Sequence, residues 1–314
     1  MKKIYLIVLL CIATASAYAQ QEPLFAQYFK NPMLYNAGAC GATQQAELRI
    51  YHRWQWVSFP GSPVTFGINY QSGYKRSGFG ADLHMDKTGP SQHFGGQLSY
   101  AYHIPISKQS RLALGITGRF LRYEIDTRSI HFNDPTDVIA SAGVIGRNRG
   151  EASAGLYYYT PRVQIGLAST NLLQTSLDII PEANNVDKAR YYRHFWAMAK
   201  AQLGKGPISY EPNVLLKFTG QTPLQYEAGM RLQFKEHDFG FGVGYRGADP
   251  RSPGFITFNF NTLFDKQFPI LIGVDIATGK FGDYSGFSYE MMLGADFMRN
   301  DMISNYSTVP ATKK

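Results

Sequence analysis

Residues 224–234 read Leu-Gln-Tyr-Glu-Ala-Gly-Met-Arg-Leu-Gln-Phe, and this alternation decides the fold. Every second side chain from Leu224 to Phe234 is apolar, and the positions between them are polar or glycine. Because successive side chains of a β-strand point to opposite faces, the segment has one apolar and one polar face. Similar segments follow one another from about residue 47 to residue 297, without a long apolar run. The pattern predicts an all-β chain that forms an antiparallel transmembrane β-barrel in the outer membrane.

The alternation divides into fourteen candidate strands, an even number, as is usual for bacterial single-chain barrels. The strands are predicted at residues 47–57, 64–71, 77–84, 93–103, 110–122, 151–159, 162–170, 190–203, 211–219, 224–236, 238–246, 254–264, 268–277 and 287–297. Long outer loops and short inner turns are typical of such barrels, so the first strand is expected to run outward. The longer connections, expected outside the cell, are residues 85–92, 123–150, 171–189, 247–253 and 278–286. The connection 220–223 is too short for its side.

Charged residues within the strands fall on the polar face. An ionised group that faced lipid near the midplane would cost about 2–4 kcal/mol. The residues expected to point into the barrel are Arg49, Arg53, Arg119, Lys217, Glu227, Arg231, Asp275 and Glu290. A soluble β-sandwich would alternate as well. The barrel is favoured because only 17% of residues are charged, and because Tyr and Trp recur near strand ends, as at membrane interfaces.

The N-terminus has the features of a secretory signal peptide. Lys2 and Lys3 precede a short apolar stretch, and Ala17-Tyr18-Ala19 has the small residues of a cleavage site. We expect residues 1–19 to be removed, so that the mature chain begins at Gln20 and reaches the cell outer membrane.

Two segments lie outside the predicted barrel of residues 47–297. Residues 20–46 do not alternate, and we interpret them as a periplasmic lead-in that plugs the barrel mouth or as a docking segment. Residues 298–314 follow a terminal aromatic residue, Phe297, and are expected to form a periplasmic tail. The mature chain contains one cysteine, Cys40, so that no intramolecular disulfide is expected.

The sequence gives little indication of catalysis. Seven histidines are scattered without the spacing of a zinc site. Ser91 and His93 stand close together, as in a lipase, but no third triad member and no nucleophile elbow can be assigned. Gly240, Gly242 and Gly244 lie within a strand, and we interpret them as space inside the barrel. We therefore expect no enzyme activity, no catalytic, metal or cofactor site, and no nucleic-acid binding.

Residues 20–46 carry the most specific motif in the chain, Glu22-Pro-Leu-Phe-Ala-Gln-Tyr-Phe-Lys-Asn-Pro-Met-Leu-Tyr-Asn-Ala-Gly-Ala-Cys-Gly41. It resembles the mature N-terminus of the PorP/SprF membrane proteins of the type IX secretion system in Bacteroidetes, which typically reads D-P-x-F-x-Q-Y-x-x-N-P-x-x-Y-N-P-A-x-A-G. The matching positions are Glu22, Pro23, Phe25, Gln27, Tyr28, Asn31, Pro32, Tyr35, Asn36 and Gly41. Glu22 replaces the usual Asp, and Ala37 replaces the usual Pro.

Two further blocks are similar to the same family. Its Y-R-x-Q-W-V block corresponds to residues 52–57, which include Arg53, Gln55 and Trp56. Its D-K-x-G-P block corresponds to residues 86–90, which are Asp86, Lys87, Thr88, Gly89 and Pro90. The resemblance extends over the whole mature chain.

This resemblance implies a non-enzymatic outer-membrane component of type IX secretion, a partner for the secretion or surface anchoring of a large adhesin, in some cases for gliding motility. Expected partners are the exported adhesin or its C-terminal domain, other secretion components in the periplasm, and the lipid bilayer. We place partner binding on loops 123–150 and 171–189, near Arg128, Arg147, Arg149 and Arg190. Strand addition is not favoured, because a closed barrel lacks an exposed edge. The alternative function is a channel for small or hydrophobic solutes.

Overall fold

The computed structural model describes residue 22 and residues 24–131, 143–177, 190–248 and 253–297. Its strands form one closed barrel, in which each strand pairs with the next along the chain and the last pairs with the first. All of these pairings are antiparallel. Over the described part of the chain, no helix has the length and apolarity needed to cross a membrane.

The strands, in chain order, are β1 (Ala46–Trp54), β2 (Val64–Tyr74), β3 (Ser77–Thr88), β4 (Ser91–Pro105), β5 (Arg111–Asp126), β6 (Val144–Tyr159), β7 (Val163–Thr170), β8 (His194–Ala201), β9 (Ile208–Thr219), β10 (Thr222–Phe234), β11 (Phe239–Gly247), β12 (Phe255–Phe264), β13 (Phe268–Ala277) and β14 (Phe287–Phe297). We call the end of the barrel that carries the connections 55–63, 127–143, 171–193 and 278–286 the loop end, and the opposite end the turn end.

The prediction of an antiparallel barrel with fourteen strands is confirmed. Two connections at the loop end are shorter than predicted. The predicted loop 85–92 is wrong, because β3 runs to Thr88 and β4 begins at Ser91. The predicted loop 123–150 is reduced to 127–143 by the ends of β5 and β6.

The apolar–polar alternation does not predict these strand extensions, because their outward side chains are no longer apolar. The outward positions at the loop end of β3, β4 and β5 carry Lys87, Gln92, Arg122 and Glu124. Both faces of the strands are then polar, and the alternation that indicates a half-buried strand is lost. β3 to β6 therefore rise beyond the part of the wall that faces lipid.

The two faces of the wall separate as the alternation predicts. Outward positions carry large apolar side chains, and Phe79, Leu98 and Ile116 are 55%, 72% and 64% exposed. The charged residues predicted to point inward are all buried or nearly so, which confirms that prediction. Gly240, Gly242 and Gly244 also face the interior, where Gly242 leaves room for the side chain of Arg231.

The interior of the barrel is filled by the chain that precedes β1. We call Glu22 and residues 24–45 the lumen segment. Most of its side chains are buried, and they form the main apolar cluster of the protein with inward residues of the wall. The wall residues in this cluster are Tyr51, Ala113, Tyr157, Ala168, Trp196, Met198, Leu215, Leu271 and Met292. The apolar core of the protein thus lies between the lumen segment and the inner wall.

Candidate functional site: the lumen segment and the loop end

The lumen segment runs through the barrel from the loop end towards the turn end. Glu22 lies beside Lys217, close to the loop end of β9. Cys40 lies against Gly78, at the turn end of β3. From there the chain enters the wall at Ala46. The segment therefore runs through the lumen from one end of the barrel to the other. The sequence had indicated a plug at the barrel mouth only.

Glu22 fixes the part of the segment nearest the loop end. Its carboxylate pairs with Nη1 of Arg119 at 2.6 Å and accepts a hydrogen bond from Oγ1 of Thr170 at 3.3 Å. Burial by itself raises the pKa of Glu22, but Arg119, His194 and Lys217 outweigh it and lower the pKa to about 2. The carboxylate is therefore ionised at neutral pH, and it holds the segment to the wall by charge.

Glu290, on β14, holds the next turn of the segment. Its two carboxylate oxygens accept hydrogen bonds from the backbone N–H groups of Ala26, at 2.7 Å, and Gln27, at 3.1 Å. The side chain of Gln27 donates to the carbonyl of Ile272 on β13, at 2.8 Å. A buried carboxylate that accepts two backbone N–H bonds is well satisfied, so the wall and the segment depend on each other here.

Glu290 is also the first member of a buried chain of ion pairs that runs from strand to strand along the inner face of the wall. Arg53 contacts Glu290 at 3.2 Å and Asp275 at 2.6 Å, and Arg246 contacts Asp275 at 3.1 Å and Glu227 at 2.8 Å. Three carboxylates thus face two guanidinium groups. Charges taken out of water need several partners each, and for Glu290 the N–H groups of Ala26 and Gln27 supply two of them.

Aromatic side chains pack the middle of the segment against the wall. The hydroxyl of Tyr35 accepts a hydrogen bond from the backbone N–H of Phe25 at 2.6 Å. The ring of Tyr35 lies 4.5 Å from that of Trp196 on β8, and the ring of Phe25 meets Tyr51 on β1 edge-on at 5.1 Å. These contacts bring two residues of the motif, ten positions apart, into a single aromatic cluster.

A polar cluster holds the segment towards the turn end. The hydroxyl of Tyr28 donates to Oδ1 of Asn213 at 2.7 Å. The guanidinium of Arg231, paired with Glu211, lies 5.0 Å from the centre of the Phe29 ring. Nζ of Lys200 donates to the carbonyl of Phe29 at 3.3 Å. Cation–π contacts of this kind are strengthened by burial.

Asn36 joins a turn of the segment to two neighbouring strands. Its Oδ1 accepts the backbone N–H of Gly38 at 2.8 Å, which closes the short 3₁₀ turn Ala37–Ala39. Its Nδ2 donates to the carbonyl of Leu156 on β6 at 2.9 Å. A Cβ added to Gly155 would lie closer than 3.0 Å to the Asn36 side chain. The absence of a side chain at residue 155 is therefore what admits Asn36.

Cys40 is fully buried near the turn end of the barrel. Its carbonyl accepts a hydrogen bond from Nε2 of His103 at 3.0 Å, and Nδ1 of His103 then accepts one from the hydroxyl of Tyr159 at 2.9 Å. Burial raises the pKa of the Cys40 thiol to about 12. The thiolate is the reactive form of cysteine, so burial disfavours the reactive form of Cys40.

The motif positions of the segment are thus brought together inside the barrel. Pro32 takes the first position of a 3₁₀ turn, Pro32–Leu34. Asn31 is 1% exposed. Pro23 lies outside the described residues.

The other two motif blocks meet at the loop end. Gln55 donates its backbone N–H to the carbonyl of Pro63 at 2.9 Å. The backbone N–H of Trp56 donates to Oγ of Ser288 at 3.1 Å, and its ring meets Phe281 edge-on at 5.4 Å. The connections 55–63 and 278–286 therefore support each other above the lumen.

The third block continues this surface. The backbone N–H of Gly89, in the turn between β3 and β4, donates to the carbonyl of Gly61 at 2.8 Å. Asp86 accepts a hydrogen bond from Oγ1 of Thr65 at 2.5 Å, and Lys87 is exposed on the outer face. The carbonyl of Pro90 accepts the backbone N–H of Asp126. These residues support the loop end.

The arginines predicted to contact a partner lie at the loop end, although two of them are not on loops. Arg128 is exposed and pairs with Asp126 at 2.8 Å. Arg147 and Arg149 lie on β6, which corrects their assignment to loop 123–150. Arg190 forms an isolated bridge with Ser176. Most of loop 171–189 lies outside the described residues.

The described residues include the side chains that the sequence singled out for metal binding or hydrolysis. No group of three or more histidine, cysteine and carboxylate side chains within them could hold a metal ion. Oγ of Ser91 lies 3.1 Å from the hydroxyl of Tyr123, and Nδ1 of His93 lies 3.4 Å from that of Tyr191. Ser91 and His93 thus each contact a tyrosine hydroxyl.

The sequence pattern missed the residues that receive the lumen segment. Glycines at inward positions of β3, β5, β6 and β7 are in close contact with it: Gly78, Gly80, Gly115, Gly155 and Gly166. Inward glycine within an alternating strand indicates a close approach of other atoms. That signal was available at these positions, but it does not identify the approaching segment.

Comparisons with known proteins agree with this architecture. The family model described as "Type IX secretion system membrane protein PorP/SprF" matches residues 17–295. Among curated proteins, none matches the chain.

Solved structures of other barrels are similar in fold. The toluene transporter TbuX of Ralstonia pickettii has a TM-score of 0.52 at 10% identity, over 84% of this chain and 92% of that one. The CymD monoaromatic hydrocarbon channel has a TM-score of 0.48 at 11% identity, over 81% and 86%. The P. putida toluene transporter TodX has a TM-score of 0.47 at 10% identity, over 81% and 89%. The likeness to TbuX concerns the fold alone.

Proposed function

Because the chain belongs to the PorP/SprF family of type IX secretion system membrane proteins, we propose that it is a partner in the secretion or surface anchoring of a large exported adhesin. As a member of this family with an outer-membrane barrel fold, it is a membrane component of that system. The proposed role is recognition. The loop end holds the exported protein, and the barrel fixes the complex in the outer membrane.

The observation that carries this proposal is the filled lumen. Residues 24–29 cross the interior, and Glu22, Ala26 and Asn36 are each bonded to a different part of the wall. A porin needs a water-filled lumen. An anchor does not need a water-filled lumen. A rigid barrel favours anchoring, because its binding surface then loses little conformational entropy when the partner binds.

The alternative is a channel for small or hydrophobic solutes. The solved barrels that share this fold include a protein named as a toluene transporter. At 10% identity this likeness gives no support for a shared ligand. The buried ion chain and the aromatic cluster would have to rearrange before a solute could pass, so we favour the anchor.

We place the partner surface at the loop end, where Arg128, Arg147, Arg149 and Arg190 are found within or beside the two longest connections. Basic residues on such a surface favour an acidic partner and speed its association. We further propose that the signal peptide is removed near Ala19 and that no enzymatic step is involved.

The experiment is a loop deletion that spares the strands. The base of the 127–143 connection is closed by the hydrogen bond from the backbone N–H of Thr127 to the carbonyl of Gly143, at 2.8 Å. Replacing residues 132–142 with a Gly-Ser linker should therefore leave the barrel intact. We expect loss of surface display of the exported protein that co-purifies with the wild-type barrel, while the barrel keeps its heat-dependent electrophoretic shift. Retained display would contradict the proposal.

A further inference from the structure

The turn end of the barrel carries an uneven distribution of charge. Six connections lie there, one after every even-numbered strand from β2 to β12. The first four, from the β2–β3 turn to the β8–β9 turn, contain no aspartate or glutamate. Because the order of strands in the barrel follows the chain, these four turns are neighbours along the rim. Their exposed cationic side chains, which we call the basic arc, are Lys75, Arg76, Lys108, Arg162 and Lys205.

The remaining two turns have a different composition. The β10–β11 turn contains Lys235, Glu236 and Asp238. The β12–β13 turn contains Asp265 and Lys266. Cations and carboxylates are therefore mixed on that side of the rim. A bilayer surrounds the whole circumference of a barrel, so contact with lipid headgroups alone would not favour a one-sided arc. The arc is better suited to a partner that approaches one side of the turn end.

The side chains of the basic arc are not neutralised by the part of the chain that the structure describes. None of them lies within ion-pair distance of a carboxylate there. Nζ of Lys75 lies 5.1 Å from the centre of the Tyr74 ring, a contact that leaves its charge in place. By contrast, the buried Arg231, on the turn-end half of β10, is paired with Glu211. A positive surface without its own counter-charges attracts an acidic partner and speeds its association.

Hydrogen bonds within the turns fix the backbone that carries the arc. Oγ of Ser107 accepts the backbone N–H of Ser110 at 3.1 Å, which closes the turn around Lys108. Oγ1 of Thr160 accepts the backbone N–H of Arg162 at 3.1 Å. Side-chain bonds of serine and threonine to nearby N–H groups are a usual way to hold a tight turn. These turns therefore hold the base of each cationic side chain in a defined place.

Neighbouring hairpins also support one another along the arc. The backbone N–H of His103, on β4, donates to the carbonyl of Arg76 at 2.7 Å. The backbone N–H of Gln202, which follows β8, donates to the carbonyl of Arg162 at 2.7 Å. A surface whose backbone is already ordered loses little conformational entropy when a partner binds. The arc is thus prepared for binding in the free barrel.

The C-terminal tail predicted at residues 298–314 does not have the composition of a partner for the arc. It contains Arg299, Lys313 and Lys314, but one acidic residue, Asp301. Like charges that face each other across an interface oppose association. The arc therefore fits a separate, acidic partner better than it fits the tail of its own chain.

We propose that the basic arc binds the acidic surface of a periplasmic protein. The turn end faces the periplasm in the orientation predicted from long outer loops and short inner turns. The partner presents carboxylates that meet neighbouring turns of the arc. This inference goes beyond the proposed function, because it concerns the end of the barrel opposite to the one that holds the exported protein.

The experiment places a photo-crosslinking amino acid at Gln109, an exposed residue of the β4–β5 turn. Arg76→Glu/Arg162→Glu reverses the charge of the two turns that flank this position. Lys235→Glu/Lys266→Glu is the matched control, because it reverses the same number of charges on the mixed side of the rim. The side chains of these four residues form no hydrogen bond or ion pair with the described residues. Both variants should therefore keep the heat-dependent electrophoretic shift of the folded barrel.

In whole cells we expect a cross-link from residue 109 to an acidic segment of a periplasmic protein. Its yield should fall about tenfold in Arg76→Glu/Arg162→Glu, because like charges across an interface oppose binding. The control variant should give the wild-type yield. In isolated envelopes the yield should also fall as salt is added, since exposed charges are screened. Lysine in place of the carboxylates of the cross-linked segment should restore the yield with Arg76→Glu/Arg162→Glu.

Equal yields in the two charge-reversal variants would overturn the inference. The same holds for a product that contains only lipid, for a cross-link to residues 298–314 of the same chain, and for the absence of any product. The loop replacement that tests the proposed function lies at the other end of the barrel and should leave this cross-link unchanged. The two proposals can therefore fail separately.

Discussion

Ala37 rests directly on the backbone of β5 because residue 115 has no side chain. A Cβ added to Gly115 would lie closer than 3.0 Å to the carbonyl carbon of Ala37, a separation that real Cβ atoms do not show. The nearest atoms belong to the backbone of Ala37 and Gly38, so the clash cannot be relieved by a change of side-chain rotamer. The fit of the lumen segment in the barrel is therefore set by the positions of inward glycines as much as by its hydrogen bonds.

This contact predicts the effect of one methyl group. Gly115→Ala should displace the turn at residues 37–39 and cost about 1–3 kcal/mol, as overpacking of a buried contact does. Cys40 follows this turn and is fully buried, so its labelling by a maleimide should become much faster in the folded barrel.

The matched control is Gly118→Ala on the same strand, where an added Cβ meets nothing within 4 Å. It should leave Cys40 unlabelled, as in the wild-type protein. Equal labelling rates in the two variants would show that the lumen segment does not depend on the contact at residue 115.

The Glu290 carboxylate gives a second prediction. Glu290→Ala removes the acceptor for two N–H groups of the lumen segment and leaves Arg53 with one carboxylate in place of two. Breaking a buried ion pair from one side costs about 3–5 kcal/mol. Urea unfolding in lipid vesicles should show a loss of this order. Asp283→Asn, at an exposed loop position, should change the free energy of unfolding little.

The pKa of Glu22 predicts a dependence on pH. Because the folded-state pKa, about 2, is below the ordinary value of 4.5, the ionised carboxylate stabilises the fold above pH 4.5. This contribution is lost as the pH falls from 4.5 towards 2, and it amounts to about 3 kcal/mol at most. The difference in unfolding free energy between the wild type and Glu22→Gln should therefore shrink over that range. A difference that stays constant down to pH 2 would refute the assignment.

The filled lumen predicts the electrical behaviour of the barrel. In planar bilayers the wild-type protein should show little conductance, whereas a variant that lacks residues 24–42 should conduct ions through the polar interior. Arg128→Ala, which changes an exposed side chain outside the lumen, is the control. A wild-type conductance equal to that of the deletion variant would favour a channel.

The wall of the barrel could be predicted from the sequence because lipid imposes a strict pattern on it. Alternation located the strands, and the cost of charge in lipid placed Arg53, Asp275 and Glu290 on the inner face. Where the wall rises into water, as at Arg122 and Glu124, the pattern disappears and the strand ends were missed.

The path of the lumen segment could not be predicted in the same way. Its residues follow no period, and their partners lie far away in the chain, as Asn36 and Leu156 do. The motif marked these residues as a unit without indicating what they contact.

The contact between Ala26 and Glu290 also constrains the order in which the protein is built. Residue 26 precedes β1 and residue 290 lies on β14, so residue 26 is synthesised long before residue 290. Until β14 arrives, the ring is not closed and the early residues lack one of their main partners. A chain truncated before β14 would therefore lack both the closing strand of the wall and the Glu290 acceptor of the lumen segment.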